Sequence, residues 1–268
     1  MSKINELKKY NANLRNIMEL DKKNQSNLLN ILKDHLLLII SLVMLIINLS
    51  LILLLTSFNL IIWGSPNRIV YAIFFYHVSG AWLSYFSFGI SFIFHILYLK
   101  SRKTNWIHWG KNSVLVGVFF SGFTLITGSL WFNATSGDYN NIFWQWGDAR
   151  QTMTLVLFIS YLSYLIFGKM IEDKEKKARI TAILGIVLFP TVPLSYISAI
   201  VFTSLHPLIN PNPGEPGNIY WDPLKLFMLF FNLIAMTILF VYIVKELVLL
   251  DDKREELEKI KQIRLLRE

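Results

Sequence analysis

The chain has no cysteine among its 268 residues. It therefore runs no thiol exchange, ligates no metal through sulfur and has no disulfide to mark its compartment. Charge is also missing from long stretches. The runs 36–62, 69–99, 113–132, 152–168, 180–205 and 226–244 hold no Asp, Glu, Lys or Arg at all. Paired acids within a membrane, as a proton-coupled carrier would use, are thereby excluded. No H-E-x-x-H, nucleophile elbow or phosphate-cradling glycine loop occurs, which removes the metalloprotease, hydrolase and nucleotide-binding readings.

What remains is apolar surface. Hydrophobic residues make up 54% of the chain and aromatic residues 15%. A soluble domain of this length has no use for so much, whereas each run is long enough to cross about 30 Å of hydrocarbon. The sequence predicts an all-α integral membrane protein with six transmembrane helices. The first run reads as a retained helix rather than a cleaved leader, because 35 mostly polar residues precede it.

Net charge is +8, and its distribution argues topology rather than nucleic-acid binding. Residues 1–35, 100–111, 169–179 and 245–268 together hold 23 of the 26 lysines and arginines, leaving Arg68, Arg150 and Lys225. By the positive-inside rule both termini are cytoplasmic, and loops 63–68, 133–151 and 206–223 face outward. The predicted organisation has three parts. Residues 1–35 form an amphipathic cytoplasmic segment with Leu7, Tyr10, Leu14, Ile17 and Met18 at helical spacing. Residues 36–250 form the six-helix membrane domain, with 133–151 as its external tryptophan-rich loop. Residues 251–268 form a charged cytoplasmic helix; the tail from Lys245 that continues the last span into it carries Leu250, Leu257, Ile260 and Ile263 as an apolar stripe that either stays solvated or docks a partner.

Two runs depart from simple spans. The second is about 46 Å long as a helix, more than a bilayer needs. Counting outward from Lys100 puts the outer boundary near Gly80 and His77 at the outer interface, with residues 69–76 lying along it. The fifth contains Pro190 and Pro193, which predict a kink near mid-membrane.

His77 and His206 thus reach the same outer depth from different spans. Two imidazoles so placed suit the two axial positions of a planar porphyrin iron, although an interfacial histidine also serves as a polar anchor. His35, His95 and His108 fall on the inner side, with His108 in a loop; His35 and His95 could form a second, inner pair. Trp63, Trp131, Trp144, Trp146 and Trp221 gather on the outer side, against Trp106 and Trp109 on the inner and Trp82 within a span. An aromatic belt accounts for some of these, but not for Trp144 and Trp146 beside Asp148 and Arg150, since a belt needs no charges. Arg150 suits a ligand carboxylate, or Asp148 itself.

These residues resemble a known family. Trp144-Gln145-Trp146-Gly147-Asp148-Ala149-Arg150-Gln151-Thr152 is similar to the tryptophan-rich "WWD" signature of the haem-handling proteins of cytochrome c maturation. Tyr76-His77-Val78-Ser79-Gly80-Ala81-Trp82 resembles the V-H-V-P-x-A-W segment of the CcmC branch, and Ser204-Leu205-His206 its T-L-H. The chain departs from that pattern at Asn140 and Asn141, where the leading Trp-Gly falls, at the extra Gly147, and at Ser79 in place of proline. The resemblance implies non-covalently bound haem b held at the extracytoplasmic face of the cell (plasma or inner) membrane. His77 and His206 would be its axial ligands, and Trp144, Trp146, Asp148 and Arg150 its cradle. It implies as partners a CcmE-like haem chaperone, CcmA/CcmB-like ABC transporter subunits and membrane lipid, and a transfer platform rather than an enzyme. A CcsA-like cytochrome c synthetase component and a non-haem assembly subunit are the alternatives, and a lyase-like role in haem attachment stays open.

Overall fold

The computed structural model describes residues 33–58, 72–135, 143–202, 204 and 223–265. Among the described residues seven helices build six candidate spans: α1 (Leu36–Ser57), α2 (Ala72–Ser101), α3 (Thr104–Thr135), α4 (Ala149–Met170), α5 (Lys174–Leu188), α6 (Thr191–Val201) and α7 (Pro223–Leu265). There is no strand among the described residues. The protein is an all-helical membrane protein. Its bundle has a tryptophan end, carrying Trp131, Trp144 and Trp146, and a basic end, carrying Lys100, Lys111 and Lys174. The amphipathic reading of the N-terminal segment falls on residues outside those described, apart from its last three.

Lipid tails are as apolar as leucine, so helices in a bilayer associate where small residues let them close up. α2 and α3 do this. A Cβ on Gly117 would stand 2.6 Å from the Phe88 ring and 2.9 Å from the Ser87 Cβ, so only glycine admits this approach. Phe88 in turn stacks on Tyr161 of α4 at 3.7 Å between ring centroids, and both are buried with Leu157, Val114 and Val192. α1 sits at the periphery, burying only Ser41, Asn48, Ile52 and Thr56 and leaving Leu36, Leu42, Leu49, Leu53 and Leu54 exposed.

The fifth span is broken as its prolines predict. α5 ends at Leu188 and α6 begins at Thr191, with Pro190 between them. Two other sequence expectations need correction. Residues 72–76 do not lie along the interface but form the first turn of α2, because Phe74 and Phe75 are buried against Ile52 of α1 and Met228 of α7. His108 is not in a loop: α3 starts at Thr104, after a tight turn in which Arg102 takes a left-handed backbone (φ 58°).

At the basic end the charged tail of α7 pairs with other helices of its own chain. His108 pairs with Asp252 at 2.8 Å and Glu255 at 3.1 Å. Asp251 accepts from Lys111 and Asn112, each at 2.8 Å, and Lys174 of α5 pairs with Glu258. The acidic side of the tail is thus used internally, while Leu257, Ile260 and Ile263 stay exposed.

His95 is wholly buried near this end. Its Nδ1 meets Ser91 Oγ at 3.1 Å and its Nε2 meets Tyr164 Oη at 2.9 Å. The ring is gripped between Gly110 and Gly185, where an added Cβ would overlap it. Gly185→Ala is therefore expected to destabilise the bundle by about 1–3 kcal/mol, the usual cost of overpacking. A lowered melting temperature of the detergent-solubilised chain checks this; an unchanged one refutes the tight grip.

Candidate functional site

A cavity of about 300 Å³ opens at the tryptophan end, between α2, α3, α4 and α6. That volume lies at the lower edge of the range for small-molecule sites. Its lining is mainly apolar and aromatic, and it includes four of the six sequence-predicted residues: His77, Trp144, Asp148 and Arg150. Trp146 is not among them. It is 72% exposed and meets Trp144 edge-on at 5.8 Å. The sixth, His206, lies outside the described residues.

His77 is held from α3. Thr127 Oγ1 donates its proton to the Phe123 carbonyl at 2.8 Å, so toward the imidazole it acts as acceptor for Nδ1–H, at 3.1 Å. A neutral imidazole protonated at Nδ1 carries its lone pair on Nε2, the arrangement by which a second partner prepares a histidine for a metal. Gly128 provides the space: a Cβ there would come within 2.8 Å of His77 Cε1.

The tryptophan segment is fastened by the residues that follow it. Asp148 caps α4, accepting from the Gln151 backbone N–H at 2.9 Å. Gln151 Oε1 reaches back to accept from the Gln145 N–H at 3.0 Å, and Thr152 Oγ1 donates to the Trp146 carbonyl at 3.1 Å. The other Asp148 oxygen accepts from Ser204 Oγ at 2.9 Å. Asp148 is only 3% exposed, so it works as a clamp between the tryptophan segment and the segment that leads to His206. Arg150 points elsewhere. Its guanidinium lies over the Tyr196 ring, 5.4 Å from the centroid, and lines the cavity.

Sequence reasoning missed Thr127, Gly128 and Tyr196, and placed Trp131 here only as part of an aromatic cluster. Gln151 carried a signal: a helix-capping Asp followed three residues later by Gln is a helix-start pattern. Nothing in one sequence marks Tyr196, which reaches Arg150 from a distant span. The inner pair of histidines is not assembled. His35 meets Tyr242 at 2.7 Å, while both ring nitrogens of His95 are engaged as described. Among the described residues no group of three or more His, Asp or Glu could hold a bare metal ion.

The arrangement is a greasy slot with one imidazole, one guanidinium and one aromatic wall. Trp144 Nε1 is buried in it without a hydrogen-bond partner. Such a slot offers an occupant apolar surface, one nitrogen donor and one cation.

Comparison with known proteins bears on that chemistry. The profile of the family described as "CcmC: Heme exporter protein C" matches residues 23–260. The "Heme exporter protein C" of Bradyrhizobium diazoefficiens is 32% identical over 169 residues, 63% of this chain and 62% of that protein. A ccmC-like mitochondrial protein of cytochrome c biosynthesis from Marchantia polymorpha is 31% identical over 138 residues, 50% of this chain and 57% of its own length. The "Heme exporter protein C" of Rhodobacter capsulatus is 26% identical over 180 residues, 66% of this chain and 71% of that protein. The chain thus spans about three fifths of the first two relatives. The family match runs from before α1 to the tail of α7 and takes in every wall of the cavity, so the chain belongs to the CcmC, heme exporter protein C, family.

Proposed function

We propose that this chain binds haem b non-covalently as cargo at the tryptophan end and presents it to a haem chaperone of the CcmE kind. The observation that carries this reading is the convergence of His77, Trp144 and Arg150 on one apolar cavity in a member of this family. His77 Nε2 supplies one axial position and His206 the other. Arg150 pairs with a propionate as a planar, always-charged guanidinium. Trp144 supplies an aromatic wall, and Asp148 acts on the site by holding that wall and the His206 segment in register. A chain without cysteine forms no thioether, so the haem stays exchangeable, as cargo must.

The distribution of basic residues supports an orientation with both termini in the cytoplasm and the cavity at the extracytoplasmic face of the cell membrane. Nothing in the sequence binds a nucleotide, so energy for unloading comes from CcmA/CcmB-like ABC subunits, and this chain acts as a platform rather than an enzyme. Haem itself supplies the iron that the histidines hold; the chain's residues orient it and keep water off it.

The test is haem titration of the detergent-solubilised chain, read by its absorbance bands. The two tryptophans should separate. Trp144→Ala removes a wall worth about 1–3 kcal/mol of apolar burial and should weaken haem retention accordingly, whereas Trp144→Phe should be mild. Trp146→Ala should leave retention near that of the parent chain and lower transfer to the chaperone, because this ring stands outside the cavity. Failure of the parent chain to bind haem refutes the reading, and equal retention in Trp144→Ala and Trp146→Ala refutes the division of labour.

A further inference from the structure

The cavity has a side as well as a top. At the basic half of the bundle α2 lies against α5, with Phe92 stacked on Phe189 at 4.3 Å. Beyond the break at Pro190 the span keeps α4 as its neighbour, but α6 draws away from α2. α2 and α6 are joined by a hydrogen bond between Tyr85 Oη and Ser195 Oγ at 3.1 Å, and Ser195 Oγ also meets Thr154 Oγ1 of α4 at 3.2 Å. These three hydroxyls form a floor. Toward the tryptophan end the cavity lies between the two helices, framed by Val78 and Trp82 of α2 and by Tyr196 and Ile200 of α6.

The frame is open to the outside of the bundle. Trp82, Tyr196 and Ile200 line the cavity and yet are 57%, 50% and 60% exposed. Trp82 lies about 3 Å inside the outer boundary expected near Gly80, and Tyr196 about 8 Å before the end of α6, which puts the lower part of the gap at the top of the hydrocarbon. A mouth that met water would be lined by charged and amide side chains; this one is edged by Val78, Ile200, Trp82 and Tyr196, the last two being amphipathic rings of the kind found at a membrane interface. Arg150, the one Lys or Arg that lines the cavity among the described residues, lies over Tyr196 from the first turn of α4, at the tryptophan end.

We propose that the cavity is loaded sideways from the bilayer leaflet that holds the tryptophan end, through the gap between α2 and α6. The ligand class is a flat apolar macrocycle with carboxylates along one edge. Such a molecule dissolves in a leaflet with its ring among the tails and its acids at the headgroups, and passing between Trp82 and Ile200 would bring those acids to Arg150 without turning it over. The identity of the ligand rests on the haem reading above; the lateral mouth does not.

The test uses the full chain reconstituted in vesicles of phosphatidylcholine and phosphatidylglycerol. Ser84 lines the cavity with a buried, unbonded hydroxyl, and Ser84→Cys provides one thiol in a chain that has none. A pyrenyl maleimide dissolved in the bilayer should label it at least about ten-fold faster than a charged maleimide in water, since hydrocarbon excludes the charged reagent. Adding Ile200→Trp, which narrows the mouth from its lipid side, should slow that labelling. Equal or faster labelling by the charged reagent, no labelling by either, or no effect of Ile200→Trp each overturns the proposal. A second arm supplies haem either dissolved in the vesicles or bound to albumin in the water. Ile200→Trp alone should slow uptake from the vesicles more than uptake from albumin; equal slowing overturns lateral loading. Lipid-side labelling without any haem uptake by the parent chain refutes the haem reading and leaves the mouth standing.

Discussion

His77→Ala is expected to weaken haem retention by about 100-fold or more, above the 10- to 100-fold typical for losing a residue that merely orients a metal ligand. On the proposed ligation the substitution would remove an axial donor and open the iron position to water in a slot lined mainly by apolar and aromatic side chains. Added imidazole should partly restore the spectrum by refilling the vacated place. Two further substitutions separate ligation from packing. Thr127→Val removes the acceptor that orients Nδ1 and should weaken retention less than His77→Ala does. Gly128→Ala puts a methyl 2.8 Å from His77 Cε1 and should displace the ring while leaving the donor present. An unchanged low-spin spectrum and unchanged retention in His77→Ala would remove this residue from the site.

The second large effect is expected from Asp148→Ala. Its carboxylate satisfies the Gln151 N–H and the Ser204 hydroxyl at once, and it is almost fully buried. Loss of a helix cap costs about 0.5–2 kcal/mol, and leaving a buried donor unmet adds about 1–3 kcal/mol. The tryptophan segment and the segment leading to His206 should both loosen. The consequence is faster proteolysis between residues 143 and 148, a lower melting temperature and poor haem delivery. Asp148→Asn should restore most of this, because an amide oxygen still accepts from Gln151 and its nitrogen can donate to the serine. A role as direct partner of haem predicts a different result, namely lost retention with an intact fold, and that outcome would sink the clamp.

The span count was legible because hydrocarbon imposes one length on every crossing and tolerates no charge within it. The break at Pro190 was legible for a similar reason, since proline removes a hydrogen bond wherever it falls inside a helix. Trp144, Arg150 and His77 stood out because charge or imidazole beside interfacial aromatic rings is uncommon. Residues 72–76 misled because an interfacial helix and the first turn of a long span share a composition; only the burial of Phe74 and Phe75 against α1 and α7 separates them. Trp144 and Trp146 looked equivalent, being two residues apart. A turn at Trp146–Gly147 sends one ring to the cavity and leaves the other outside. Tyr196, Thr127 and Gly128 are contacts between elements, and a contact has no signature in one strand of sequence. His206 and its loop lie outside the described residues, so its part in the site rests on the resemblance and on its predicted depth.

α7 has one proline, at its first position where a missing N–H costs nothing, and no glycine over its 43 residues. It is therefore a stiff shaft about 64 Å long. One end, at Leu229, is a wall of the cavity, and the other is bolted to α3 and α5 through Asp251, Asp252, Glu255 and Glu258. The fifth span, by contrast, has a joint at Pro190. A force applied to the shaft at the basic end travels its whole length, whereas one applied to α5 is taken up at the joint, so the charged tail has a rigid line of transmission to the slot.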